Sequence, residues 1–184
     1  MDRSFLKKII EAALLAANKP LSISQIHSLF NEDICPSFEE IQSIIQELVI
    51  DWETRSVELK ETSSGYHFQV RQEFASWIAR LWEEKPPRYS RAFLETLALI
   101  AYRQPVTRGE IEQIRGVVTS SGIIKTLQEQ EWIKILGHKE IPGRPALYGT
   151  TSKFLDQLNL KNLDELPPLK EVIDFNESKT EQKL

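Results

Sequence analysis

Residues 102–116 read YRQPVTRGEIEQIRG. Pro105 ends the apolar run before it, because the residue preceding proline is pushed out of the α region and proline itself has no backbone N–H. Thr107 and Glu110 then have the spacing of a capping box: the hydroxyl accepts from the third helical N–H while the carboxylate reaches back to the cap's own N–H. Val106 and Ile111 sit where a hydrophobic staple fixes the entry angle of the new helix. Helix, short turn and a second helix at a set angle open a helix-turn-helix, and the question is whether this one reads DNA.

The same words occur twice. AANKPLSISQI (16–26) aligns with AYRQPVTRGEI (101–111), pairing Pro20 with Pro105, Leu21 with Val106, Ser22 with Thr107 and Ile26 with Ile111. Ser22 and Gln25 repeat the capping box, SIIQEL (43–48) matches GIIKTL (122–127), and Phe74 and Ile78 match Phe154 and Leu158. Collinear self-similarity means one structural plan used twice.

In the first copy Ile41, Ile44, Ile45, Leu48, Val49 and Trp52 recur at helical spacing and predict a third helix behind a Ser37/Glu40 cap. VELKETSSGYHFQV (57–70) then alternates about a Ser-Ser-Gly turn, a hairpin placing Val57, Leu59, Tyr66, Phe68 and Val70 near the core. IKILGHKEIPGRPALYGTT (133–151) takes that place in the second copy, with Pro142-Gly143 and Arg144-Pro145 marking the turn. Three helices and a hairpin make a winged helix, so the expected fold is mainly α with small β-hairpins: two tandem winged-helix (helix-turn-helix) domains, 1–84 and 88–166. EEKPPRYS (83–90) reads as the linker, and the polar stretch 167–184 as a flexible tail.

The 184 residues are 41% hydrophobic and 27% charged, the composition of an ordinary globular protein. No apolar run approaches the roughly 20 residues of a spanning helix, and Glu11 interrupts the only candidate leader, so a cytoplasmic location is expected. The single cysteine, Cys35, has no internal disulfide partner, and His27, His67 and His138 are scattered without ligand spacing. Neither a metal centre nor a Cys-His nucleophile is suggested. No glycine-rich phosphate loop is present, so no cofactor and no enzymatic activity are expected.

Charge decides the nucleic-acid question. The net charge is −4, and residues 1–85 hold nine Lys/Arg against fourteen Asp/Glu, whereas residues 86–150 hold nine against six. The third helix of the first copy, SFEEIQSIIQELVIDWE, has no Lys or Arg and carries Glu39, Glu40, Glu47, Asp51 and Glu53. Brought into a major groove it would add repulsion instead of releasing counterions. The second copy offers Ser121, Lys125 and Gln128, offset by Glu129 and Glu131, with His138, Lys139 and Arg144 on its wing; a winged-helix transcription regulator or nucleoid-associated protein stays open as the alternative.

Protein partners are the other use of such a scaffold. The first helix needs Leu6, Ile9, Ile10, Ala13, Leu14 and Ala17 for its own core, yet Phe5, Ala12, Leu15 and Ala16 lie off that stripe. A helix apolar on both sides is buried on both, which predicts a homodimer through the first copy. AFLETLALIAY (92–102) shares this character. Trp77 and Trp82, in FASWIARLW, are read first as core and second as interface.

At TLALIAYRQPVTRGEIEQIRGV, GRPALYGTT and FLDQLNLKNLDELPPL the sequence resembles the bacterial segregation and condensation protein B family, densely over residues 92–169 and by overall plan before residue 85. The resemblance implies two winged-helix domains, a dimer through the first, and binding to a kleisin subunit (segregation and condensation protein A) that bridges the heads of a structural-maintenance-of-chromosomes (SMC) ATPase. It implies a non-enzymatic, nucleoid-associated adaptor in chromosome condensation and partition. Tyr102, Arg103, Gln104, Thr107, Arg108, Glu112, Arg115, Arg144 and Tyr148 match motif positions, and Arg103, Arg108, Arg115 and Arg144 are the expected partner contacts, since a planar guanidinium grips carboxylate or carbonyl oxygen with defined geometry. Phe5, Ala12, Leu15 and Ala16 are the expected dimer interface. His138 and the LNL at 158–160 depart from the family pattern and leave the wing-tip contacts open.

Overall fold

The computed structural model describes residues 2–31, 34–81 and 88–168. Trp82, the Pro86-Pro87 linker and the tail from residue 169 onward lie outside the described residues.

The first unit runs α1 (Arg3–Ala16), α2 (Ile23–His27), α3 (Phe38–Asp51), β1 (Val57–Thr62) and β2 (Gly65–Val70), then a 3-10 turn (Gln72–Phe74), α4 (Ala75–Ile78) and a second 3-10 turn (Ala79–Leu81). The second runs α5 (Arg91–Arg103), β3 (Val106–Thr107), α6 (Arg108–Arg115), α7 (Ser121–Glu129), β4 (Ile133–His138), β5 (Ala146–Thr150) and α8 (Ser152–Gln157). Three helices and an antiparallel hairpin recur in each, the winged-helix plan.

Local chemistry sets the boundaries. The Ser22 hydroxyl accepts from the Gln25 N–H while the Gln25 side chain accepts from the Ser22 N–H, and Thr107 with Glu110 makes the same reciprocal pair. Ser37 caps α3 by accepting from Glu40. Gly116 takes φ 70° at the end of α6, the left-handed turn that glycine tolerates. Thr107 is buried, with its Oγ1 3.3 Å from the Glu110 nitrogen and its own nitrogen 2.8 Å from Glu110 Oε2. Thr107→Ala is therefore expected to lower stability by about 1–2 kcal/mol, and Thr107→Ser to recover most of the loss, read from urea denaturation midpoints.

Each unit has its own core. Leu6, Ile10 and Leu14 of α1 meet Ile26, Ile41, Ile44, Ile45, Leu48 and Leu59, with Trp52 and Phe68 packed at the edge. Phe93, Leu97, Ile100 and Ala101 of α5 meet Val106, Ile111, Ile124, Leu127, Trp132, Ile133, Phe154 and Leu155. Comparison of the two fixes a helix frame different from the proline register: Leu6, Ile10 and Leu14 stand where Phe93, Leu97 and Ala101 do, because α1 ends two residues farther from its proline than α5 does.

Three expectations are corrected, and the second sheet gains a strand. Val49 faces solvent, since Ile41, Ile44, Ile45 and Leu48 already fill the core stripe of α3. Val70, at the last rung of the hairpin, is exposed as well. Trp77 is 65% exposed and lies under the Arg80 guanidinium instead of in the core. The second sheet also has a third strand: Val106 and Thr107 pair with Tyr148 and Leu147, giving the order β3-β5-β4. The first copy reduces this to one bridge, Leu21 with Tyr66.

Candidate partner-binding surfaces

On α1 the buried residues Leu6, Ile10 and Leu14 define one side. At about 100° per residue, Phe5, Ala12 and Ala16 project to the other. Phe5 is 56% and Leu15 52% exposed, and Ala12 and Ala16 are exposed beside them. The four expected interface residues thus share one outward face of α1, on which exposed Lys8 also stands, between Phe5 and Ala12. The edge of α1 facing α3 is ionic: Arg3 pairs with Glu47 at 2.5 Å, and Lys7 reaches Glu47 at 3.3 Å and Asp51 at 2.7 Å. Hydrogen bonds from Arg3 and Lys7 hold the Glu47 carboxyl below the usual carboxylate range. Two of the five acidic side chains counted against DNA binding are therefore occupied internally, while Glu39 stays exposed and Glu40 half-buried at the start of α3.

The four arginines do not form one cluster. Arg103 is exposed at the end of α5 and makes no ion pair among the described residues. Arg144 is exposed at the wing turn with φ 37° and pairs with Glu140 at 2.8 Å. Arg108 binds Glu112 at 2.9 Å across one helical turn. Arg115 departs from its expected role: its side chain is only 8% exposed, and it clasps Glu95 of α5 at 3.2 Å and the buried Thr119 at 3.4 Å. It fastens α6 and the following loop to α5. Beside this clasp Leu94, Ile114, Val117 and Val118 face solvent, apolar positions outside the expected set of arginine contacts.

The cations that a DNA reader would use are paired. Lys125 on α7 lies 3.6 Å from Glu129, and Lys139 on the wing lies 2.6 Å from Glu110. Lys139, and then Thr107, lower the Glu110 pKa from 4.5 to about 2. A group depressed on folding contributes stability that is complete above its unfolded value and lost as pH falls through its folded one. Acid titration is thus expected to weaken the second unit between pH 4.5 and about 2, and Glu110→Gln to flatten that limb of the stability curve.

Two juxtapositions escaped the sequence. Cys35 Sγ lies 3.2 Å from His27 Nε2, with the His27 ring stacked on Phe38. The pair is eight residues apart and is brought together by the α2–α3 connection. A cavity of about 560 Å³, lined among others by Lys19, Ser64, His67, Lys153 and Asp156, opens between the β1–β2 turn and α8. Ser64 donates its hydroxyl to Asp156 at 2.5 Å, and His67 Nδ1 has no partner among the described residues. The serine is bound to a carboxylate, an arrangement in which no imidazole activates it.

The fold and these surfaces define a tandem winged-helix protein whose first reading helix is acidic and whose first helix presents a mainly apolar face to solvent. The chain belongs to the family of the segregation and condensation complex subunit ScpB, whose profile it matches over residues 8–169. The segregation and condensation protein B homolog of Coxiella burnetii is 54% identical over 169 residues, 92% of this chain and 81% of that protein. The crystal structure of ScpB from Mycobacterium tuberculosis is 29% identical, covers 86% of this chain and 97% of its own, and superposes with a TM-score of 0.40. A crystal structure of a dimer of the ScpB N-terminal domain complexed with an ScpA peptide is 30% identical over 43% of this chain and 96% of its own, with a TM-score of 0.38.

Proposed function

We propose that this protein is a non-enzymatic adaptor of a bacterial kleisin–SMC condensin complex, acting at the nucleoid in the cytoplasm in chromosome condensation and segregation. Residues 1–84 form the dimerisation domain, 88–166 the kleisin-binding domain and 167–184 a flexible tail. Phe5, Ala12, Leu15 and Ala16 pair two copies, and Arg103, Arg108 and Arg144 meet the kleisin subunit. The observation that carries this reading is the exposed, mainly apolar face of α1, with Phe5 and Leu15 about Lys8, on the side away from a complete core. Exposed apolar strips rimmed by charge mark protein contacts. Membership of the ScpB family supports the same reading.

Light scattering on the full chain is expected to give a dimer at micromolar concentration, and Phe5→Glu with Leu15→Glu a monomer. A pull-down with the kleisin subunit is expected to retain wild type and to lose Arg103→Glu/Arg144→Glu by about tenfold or more, since charge reversal at a polar contact leaves an unpaired group. A monomeric wild type would refute the dimer. Full retention of the arginine variant, with loss on substituting the first domain, would move the kleisin site. The DNA-binding alternative predicts a sub-micromolar gel shift at physiological salt that Lys125→Glu removes; the pairing of Lys125 and Lys139 favours weak, salt-sensitive binding instead.

A further inference from the structure

We infer that the tip of the β1–β2 hairpin is an internal latch. It holds the end of α8, and through it the second unit, at a set angle to the first, and it opens without unfolding either unit. By fixing that angle the latch sets how the α1 face and the kleisin-binding surface are presented to each other, and in this consequence alone it rests on the proposed function.

Each half of the latch is braced by its own unit. On the first side Thr62 is buried and donates its hydroxyl to the Gly65 carbonyl at 3.1 Å, which closes the turn, and the Leu21–Tyr66 bridge pins the hairpin to the α1–α2 connection. Ser63 and Ser64 are left at the tip, beyond the last rung of the ladder. On the second side Leu160 packs against the core cluster built on α5. Asn159, at φ 56°, takes the left-handed conformation that asparagine tolerates, and the Leu160 N–H returns to the Leu155 carbonyl at 2.9 Å. The chain turns there, and the Leu160 carbonyl and Lys161 meet the hairpin.

Four bonds join the halves. The Ser63 N–H donates to the Leu160 carbonyl at 3.0 Å. The Asp156 carboxylate accepts from the Ser64 N–H at 3.0 Å on one oxygen and from the Ser64 hydroxyl at 2.5 Å on the other. Lys161 pairs with Glu61 at 2.6 Å. Two donors on the two oxygens of one carboxylate fix direction as well as distance. The seam beside these bonds is not packed: the cavity of about 560 Å³ lies there, lined by Ala17, Pro20 and Phe68 from the first unit and by Lys153 and Gln157 from the second. Opening such a joint exchanges polar partners for water and uncovers no core side chain, so it parts more readily than either core. At the tip of the second hairpin Arg144 pairs with Glu140 of the same turn instead.

The test uses the full chain in a Cys35→Ser background, spin-labelled at Gln46→Cys in α3 and Gln128→Cys in α7, both exposed. An excess of unlabelled chain restricts double electron–electron resonance to distances within one copy. The latched chain is expected to give one narrow distance distribution, and Asp156→Ala/Lys161→Glu to replace it with a broad one, while the thermal melt stays unchanged because neither residue belongs to a core. Lys161→Glu alone sets two carboxylates against each other and is expected to broaden the distribution. Glu61→Lys/Lys161→Glu restores the ion pair with its signs exchanged and is expected to narrow it again, a rescue that a general folding defect would not show. A broad distribution in the unsubstituted latch, an Asp156→Ala/Lys161→Glu chain as narrow at the same distance, or an exchanged pair as broad as Lys161→Glu would each overturn the latch. Absent dimerisation or kleisin retention alongside an intact narrow peak would sink the proposed function and leave the latch standing.

Discussion

Gly65→Ala is expected to cost the first unit about 4 kcal/mol or more, the range reserved for substitutions with a specific steric cause. Gly65 begins β2 with φ 140°, a conformation that side chains rarely adopt, and a Cβ there would stand 2.2 Å from the Leu21 carbonyl oxygen and 2.3 Å from its carbon. Those atoms are backbone and cannot rotate away. The hairpin would have to lift from the α1–α2 connection, breaking the two 2.9 Å hydrogen bonds between Leu21 and Tyr66 that substitute for a third strand. Burial holds the Tyr66 hydroxyl at a pKa of about 12, and that environment would open with them. Urea denaturation followed by hydrogen exchange should show loss of protection confined to residues 2–81. An exchange pattern and midpoint equal to wild type would show that Leu21 yields instead.

The glycine was legible as a turn residue in TSSGY, but not as the place where backbone presses on backbone. That difference separates what local chemistry specifies from what tertiary contact decides. Caps, proline stops and the α3 stripe depend on neighbours within four residues, and Ser22, Thr107, Ser37 and Ile41 to Leu48 take the positions their spacing predicts. The Val106–Thr107 strand is too short to show alternation and exists only because Tyr148 and Leu147 come to it. Arg115 looked like a surface arginine, because nothing in IEQIRGV reveals that Glu95, twenty residues earlier, lies across from it. Trp77 looked like core by residue type, and its position after the pinned Arg71 left it outside. The strip on α1 was readable because one helix carried more apolar residues than a single core could use.

Ile10→Ala and Ile100→Ala should each cost about 2–5 kcal/mol, since both side chains are wholly buried and each would leave a cavity. The two losses are expected in different places. Ile10 touches only the cluster built on α1 and α3, and Ile100 only that built on α5, and the clusters share no residue. Among the described residues the units are joined by polar contacts: the Ser63 N–H donates to the Leu160 carbonyl at 3.0 Å, Ser64 binds Asp156, and Lys161 pairs with Glu61 at 2.6 Å. Contacts of this kind contribute about 0.5–1.5 kcal/mol each, and none of them carries a core side chain of one cluster into the other. Hydrogen exchange measured peptide by peptide should therefore find Ile10→Ala accelerating exchange in residues 3–70 with 91–157 unchanged, and Ile100→Ala the reverse. Equal acceleration in both halves would mean a single cooperative unit. Separate responses are what two clusters without a shared residue predict, because a cavity opened in one removes packing only from its own side chains.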